Sequence, residues 1–274
     1  MERAVERPLS VPGLHVMRAT TATPHIGVKE YYGVGRIERG DTEWWGGGKV
    51  WRSSPGCVIV KQPGDVVRHL AYSGPTTFVA VRLPTDDVEH IQRDGRAVAI
   101  AQLEPGDERA APFHRLLDAA IAGVDRLALE VALAEAVGAL ATISSAPNGS
   151  RPVRRAMEYI RSRLVDSVTL DDLARHAGLD KFHLCRAFRA QIGMPPHTYL
   201  THLRIARAKE LLRGGVRASD LAPLVGLYDQ AQLTRHFRRL VGTTPARYGR
   251  EAGPVERSTK WRASSSRSQS AREP

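Results

Sequence analysis

Along the first third of the chain, apolar and polar positions fall into short β-rich runs: Ile26–Ile37, Val58–Lys61 and Thr77–Leu83. Turn signals separate them at Gly33, Gly35, Gly40-Asp41, Gly46-Gly47-Gly48, Pro55-Gly56 and Pro63-Gly64-Asp65. Many short strands joined by Gly/Pro turns predict a sandwich or small barrel. Residues 1–23 are polar and punctuated by Pro8 and Pro12, so they read as an extended lead-in. The pattern over 84–112 is mixed and assigns no element. From Pro112 to about Ser144 the apolar spacing lengthens to three and four. Phe113, Leu116 and Leu117 are succeeded by Leu127, Val131, Ala134 and Val137, with Gly123 dividing two helices. Such helices pack on the barrel or against their copies in a second chain, and the pattern does not choose. SSAPNGSRP (144–152) has linker composition, and the tail after Arg250 is rich in Ser and Arg and predicts disorder.

Beyond the linker the chain repeats itself. LCRAFRAQIGMPPHTY (184–199) laid over LTRHFRRLVGTTPARY (233–248) gives seven identities in sixteen positions without a gap. They pair Leu184 with Leu233, Arg186 with Arg235, Phe188 with Phe237, Arg189 with Arg238, Gly193 with Gly242, Pro196 with Pro245 and Tyr199 with Tyr248. Upstream, LARHAGL (173–179) parallels LAPLVGL (221–227). Each copy reads as helix, tight turn, helix. Thr169 with Asp172 forms a cap for the first helix, Gly178 suits its end, and Asp180 caps the second. In the other copy Ser219, Gly226 and Asp229 take these places. At ~100° per residue, Leu184 and Phe188 face inward and Phe182, Cys185, Arg186 and Arg189 outward. Leu233 and Phe237 likewise face inward, and Ala231, Thr234, Arg235 and Arg238 outward. Two arginines on each outward face suit guanine edges and phosphates, because a guanidinium donates two parallel hydrogen bonds.

Charge supports the same division. The 274 residues carry a formal net charge of +11. Residues 151–250 hold 19 basic and 8 acidic side chains, whereas residues 1–150 hold 16 and 18. A basic block beside a near-neutral one points to a polyanion-binding module attached to something else. No apolar run approaches the ~20 residues of a bilayer span, and the start lacks a signal-like apolar core, so a cytoplasmic protein with no membrane partner is expected. Two cysteines, Cys57 and Cys185, cannot form a disulfide framework.

GLYDQAQLTRHFRRLVGTTPARY (226–248) resembles the second DNA-binding motif of AraC/XylS-family transcriptional regulators: a Gly turn, apolar-x-Arg-x-Phe, then Gly-x-x-Pro-x-x-Tyr. The resemblance covers about 153–250. Leu227, Leu233 and Ala231 stand where Phe, Phe and Ser are common in the family, and Pro223 is unusual in its helix. The resemblance implies seven helices in two helix-turn-helix units, joined by a long helix in YLTHLRIARAKELLRGG (199–215). It implies recognition helices in successive major grooves, ~34 Å apart. By the same resemblance the base-contacting positions are Phe182, Cys185, Arg186, Gln230, Ala231, Gln232, Thr234 and Arg235. Lys181, Arg189 and Arg238 are phosphate clamps. RNA polymerase becomes a further partner if the protein is an activator.

The segment PG…QPGDVVRH (55–69) resembles half of a cupin barrel, the sensor of many such regulators. Cupin metal sites use His-x-His with a glutamate and a later histidine. Here His25 is followed by Ile26 and Gly27, leaving Glu30 and His69 as scattered ligands, so no metal, cofactor or catalytic residue is expected. His25, Tyr31, Trp44, Trp51 and His69 are candidates for an effector pocket; the alternative is that the aromatics complete a small core.

The expectation is an α+β chain: a cupin-like sensor over 1–112, a helical segment over 113–145 suited to a homodimer, a linker over 146–152, a DNA-binding domain over 153–250 and a disordered tail over 251–274. Its function would be effector-responsive, sequence-specific regulation on double-stranded DNA, not catalysis. A cupin enzyme using His25, Glu30 and His69, and a non-specific nucleoid binder, are the competing readings.

Overall fold

The computed structural model describes residues 5–85, 88, 101–140, 143 and 150–252. Among these, ten strands come first: β1 Val5–Pro8, β2 His15–Thr21, β3 Ile26–Val28, β4 Gly33–Arg39, β5 Thr42–Gly46, β6 Lys49–Ser53, β7 Val58–Lys61, β8 Val66–Tyr72, β9 Thr76–Arg82 and β10 Ala101–Leu103. They form a six-stranded sheet in the order β1-β2-β9-β4-β7-β10 and a four-stranded sheet in the order β3-β8-β5-β6. The barrel is therefore realised as two cupin-like sheets, not as one closed cylinder.

The period of two sorts the strand residues. On the larger sheet Val16, Val34, Val58, Val60, Val79 and Val81 are buried in one cluster with Phe113, Leu116 and Leu117. These last belong to α1 (Ala111–Ala122), which Gly123, at φ 67°, separates from α2 (Arg126–Leu140). The opposite face of that sheet looks toward the smaller one, where Ile37, Trp44, Ile59 and Val67 form a compact core. The outer face of the smaller sheet is buried too: Val28, Trp45 and Val66 pack into the helical domain.

That domain holds α3 (Arg151–Ser162), α4 (Leu170–Ala177), α5 (Lys181–Ile192), α6 (Pro196–Arg213), α7 (Leu221–Leu224), α8 (Gln230–Val241) and α9 (Pro245–Ala252). The duplication seen in the sequence is a duplication of packing. Phe188 meets Tyr199 edge-on at 5.7 Å, and Phe237 meets Tyr248 edge-on at 5.5 Å. Gly193 and Gly242 end α5 and α8 in the left-handed region at φ 84° and 82°. Thr169 caps α4, Asp180 caps α5 and Asp229 caps α8 through side-chain oxygens. One core surrounds Leu184 and Phe188, the other Leu233 and Phe237.

Several expectations change. The extended lead-in is part of the larger sheet: β1 and β2 pair with each other, and β2 pairs with β9 along its whole length. The Ile26–Ile37 run splits into β3 and β4, which lie in different sheets. On α2 the buried stripe is Leu129, Ala132, Leu133, Ala136, Val137 and Leu140. Leu127 is 69% and Val131 52% exposed, so these two join an outward stripe instead. The linker's last residues, Arg151 and Pro152, already belong to α3, and α9 runs two residues past 250. Residues 146–149 and 253–274 lie outside the described residues. Ser219 does not cap a long helix. It sits in a 3-10 turn (Ala218–Asp220), and Pro223 lies in the four-residue α7 that follows.

Because both phenylalanines are fully buried, Phe188→Ala and Phe237→Ala should each cost about 3–5 kcal/mol of stability. Urea unfolding followed by far-ultraviolet circular dichroism checks this, and a loss under about 1 kcal/mol at either site would contradict the two-core packing.

Candidate functional site

Two surfaces of the molecule carry chemistry. The first is the outward face of α5 and α8. Both helices start on an aspartate whose carboxylate accepts backbone N–H groups: Asp180 from Phe182 and His183, Asp229 from Gln232. Inward burial of Leu184, Phe188, Leu233 and Phe237 then fixes which residues point out. Arg186, Arg189, Arg235 and Arg238 are all exposed. Elsewhere in this domain Arg175, Arg207 and Arg247 are held by Asp172, Glu210 and Glu251. Among the described residues no carboxylate pairs with the four outward arginines, so their guanidinium forks stay available for a polyanion. Gln230, Ala231, Thr234, Arg235 and Arg238 together line a shallow hollow on α8.

Phe182 is 80% exposed, so its ring stands on the outward face and not in the core. Cys185 is half-buried beside it. Two residues are drawn into other work. The Gln232 amide oxygen accepts the Tyr228 N–H at 2.9 Å and supports the turn, so part of its hydrogen-bonding capacity is spent on the protein's own backbone. Lys181 is paired with Asp171 at 3.0 Å. Tyr228, which the motif did not single out, stands 93% exposed in the turn before α8. Its position next to the buried Leu227 was the available signal.

The second surface lies between the sheets. His25 and His69 stack with ring centroids 4.4 Å apart, and His69 stacks on Tyr72 at 5.4 Å. Trp44 is fully buried, stacks on Trp51 at 5.5 Å and donates its indole N–H to Ser53 at 2.9 Å. Trp44 thus belongs to the core floor and not to a mouth. Trp51 donates to the Gly46 carbonyl, and Lys49 covers its ring. Tyr31 lies apart, under the Arg82 guanidinium at 5.1 Å, with burial pushing its hydroxyl up to about 12. Glu30 turns away from the histidines. Lys209 of α6 holds its carboxylate at 2.6 Å and Arg213 stands at 4.0 Å. His25, Glu30 and His69 therefore do not converge as a ligand set. The residues that sequence reasoning missed here are Lys29 and Lys61, whose inward aim depends on strand register.

Sensor and helical domain touch along one seam. The Tyr199 hydroxyl donates to the Gly64 carbonyl at 3.2 Å, and Arg161 donates to the Pro63 carbonyl at 3.3 Å. A Cβ at Gly193 would come within 2.6 Å of the Trp45 ring. Among the described residues no helix is long and apolar enough to cross a membrane.

Residues 13–137 match the AraC-like ligand binding domain, and residues 173–251 match a helix-turn-helix domain. The chain is 41% identical over 91 residues to the HTH-type transcriptional regulator YbfI of Bacillus subtilis, covering 33% of each protein. It is 32% identical over 97 residues to the HTH-type transcriptional activator AarP of Providencia stuartii, covering 35% of this chain and 72% of AarP. It thus spans about a third of YbfI and most of AarP. The crystal structure of ToxT from Vibrio cholerae O395 superposes with a TM-score of 0.53 at 9% identity, over 89% of this chain and 99% of ToxT. That likeness is one of fold.

Burial first, then Lys61, His25 and Lys29, push His69 down to about 2. Above its ordinary value near 6.5 the ring is neutral folded or unfolded. Below it, only the unfolded chain takes up the proton, so stability falls as pH drops below about 6.5. Melting temperatures between pH 7.5 and 5 should fall less steeply for His69→Gln than for the natural chain. Equal slopes would mean that this ring protonates in the folded protein.

Proposed function

The chain belongs to the AraC family of transcriptional regulators, with a ligand-binding domain ahead of a DNA-binding helix-turn-helix domain, and on that premise we propose how its own residues carry the work. The α5 and α8 faces enter successive major grooves of one operator. Arg186 and Arg235 read bases, with Gln230, Thr234, Ala231, Cys185 and Phe182 completing the two reading surfaces. Arg189 and Arg238 hold phosphates. The single observation that supports this most is the set of four exposed arginines with no carboxylate partner among the described residues, on two helices with equivalent aspartate caps and glycine ends. Random surface helices rarely agree in cap, core aromatic, exit glycine and outward charge at once.

The N-terminal sheets bind a small-molecule effector in the space near His25 and His69. Effector binding shifts the population of arrangements in which both reading heads fit DNA. The division proposed is a sensor over 1–112, a helical segment over 113–145, a linker over 146–152 and a DNA-binding domain over 153–250, and the ligand-binding match runs on through residue 137. The outward stripe of Leu127, Val131 and Ala134 on α2 serves a homodimer. The protein works in the cytoplasm, and RNA polymerase is a further partner at any promoter it activates. The enzyme reading loses its carboxylate, because Glu30 is engaged by Lys209.

Selection of bound sequences from a random DNA pool tests the first part. It should return two half-sites one helical turn apart, ~34 Å. Arg235→Ala should cost about 1–3 kcal/mol at one base position and relax specificity there. A uniform loss across all sequences would make Arg235 a phosphate contact, and equal affinity for random and selected DNA would replace this reading with a nucleoid binder. For the sensor, deleting residues 1–150 should leave DNA binding and abolish every effector response. A response that survives truncation would take the sensing role away from the N-terminal sheets.

A further inference from the structure

Two lysines on the inner faces of the sheets have no part in DNA reading. Lys61 ends β7, opposite Gly33 of β4, and the outward side of these strands is marked by Val34, Val58 and Val60 in the helix-covered cluster. Lys61 therefore points between the sheets, where its ammonium lies 5.1 Å from the Trp44 ring centroid. Lys29 follows β3 with the same parity as Gly27, which opposes the inward Val67. His25 and His69 lie on the same inner face.

This basic group is short of negative charge. Among the described residues Asp65 acts on both lysines, and Glu30 acts on Lys29 ahead of it. Glu30, beside Lys29, is held by Lys209 and Arg213 on the other side of the sheet. Burial pulls Lys61 well below its ordinary value, with Lys29 next in effect, and burial lowers Lys29 as well.

The space beside these groups is not filled. A Cβ at Gly27 would meet nothing within 4 Å. Met17 and Ala80 remain part-exposed on the side of their strands that faces the smaller sheet, next to Phe78, which packs on the inter-sheet core, while their neighbours Val16, Val79 and Val81 are buried against the helices. A partly open interior, apolar on one wall and carrying an excess ammonium on the other, is the complement of a particular ligand class.

We infer that this hollow takes a monoanionic organic acid, its carboxylate between Lys29 and Lys61 and its apolar body against Met17, Phe78 and Ala80. Lys29, Lys61, Lys209 and Arg213 share the two carboxylates Asp65 and Glu30, so a single carboxylate entering between the two lysines meets an excess of positive charge. The inference rests on the effector reading above and names that effector's chemistry. An acid entering the hollow supplies the counter-charge that Lys61 lacks, and the ammonium, once paired, stays protonated.

The test uses the full chain in calorimetric titrations with two matched pairs: naphthalene-1-acetate against naphthalene-1-acetamide, and octanoate against octanamide. At least one acid should bind about tenfold or more tightly than its amide. Lys61→Met should remove that preference, and Lys61→Arg should retain it. Gly27→Leu fills the open space without altering charge and should weaken acid and amide alike. Should Lys61→Met fail to fold, Lys29→Met provides the same reading. Acid and amide binding equally, or an acid preference that survives both lysine substitutions, would overturn the anion site and leave the effector reading standing. Failure of all four compounds to bind at millimolar concentration would overturn it too. The effector reading itself is decided separately, by the response of the truncated chain.

Discussion

The outer face of the four-stranded sheet is buried in the core of the first helix-turn-helix unit, and the rest of the molecule is organised by that contact. Val28, Trp45 and Val66 share a cluster with Leu184, Phe188, Ile192 and Tyr199. A strand alternates its side chains, so burying one face against DNA-reading helices leaves the other face for the interior of the sensor. On β8, Val66 points to the helices, while Val67 and His69 point between the sheets. On β5, Trp45 meets Gly193 at the exit of α5, and Trp44 forms the floor beneath Lys61. One thin sheet thus separates the candidate ligand from the first reading head. Close-packed interiors answer a displaced side chain by shifting to another discrete packing, not by absorbing it.

The joining helix α6 gives this contact its reach. Near its start Tyr199 is tied to Gly64 of the sensor, and further along Lys209 is tied to Glu30. Its buried positions change partners along its length. Tyr199 and Leu200 belong to the first core, whereas Ile205, Ala208 and Leu212 belong to the second. The Lys209–Glu30 pair is largely shielded on both sides, so breaking one partner is costly while the pair itself adds little net stability. Such a contact is better suited to fixing the register of α6 on the sheet than to holding the domains together, which the shared apolar cluster does.

How far the sequence alone reached follows from the range of each interaction. The helical domain was legible because caps, exit glycines and the inward Leu and Phe pairs are local and appear twice. Its one local failure, Ser219, came where Pro223 shortened the helix to a single turn. The β half was less legible. The lead-in became β1 and β2 only through pairing with β9, whose residues lie some sixty positions away. The α2 stripe shifted from Leu127 and Val131 to Leu129 and Leu133 because an Ala-rich helix offers several apolar faces, and packing on α1 chose among them. For the site, the arginine faces could be read from helical period, since their orientation needs only one helix. The inward lysines could not, because which face of β7 is inside is settled by sheet pairing and helix cover. The place of Glu30, which only the competing enzyme reading used as a ligand, was beyond local pattern for the same reason, since its partner stands 179 residues away.

The two reading heads are alike in build and unlike in their situation. The first core includes residues of the sensor, whereas the second, around Leu233 and Phe237, includes none among the described residues. On the proposed reading a change between the sheets would meet α5 through Trp45 and Gly193, whereas α8 is linked to the sensor through α6, whose Lys209 holds Glu30. The turn of the second unit is braced locally instead. Gly226 sits where any Cβ would come within 2.6 Å of the Val165 carbonyl, and the Gln232 side chain accepts from the Tyr228 backbone. Arg204 donates to the carbonyls of Leu164 and Asp166, fastening α6 to that same α3–α4 loop. Both heads are thus mounted on a single loop-and-helix frame, and the sensor grips that frame at Tyr199 beside the first core and again at Lys209 beside the second. Since DNA fixes the spacing between the major grooves, rotating one head relative to the other is enough to unseat the pair without disturbing the chemistry of either. A sensor that acts on one head only can therefore govern binding by both.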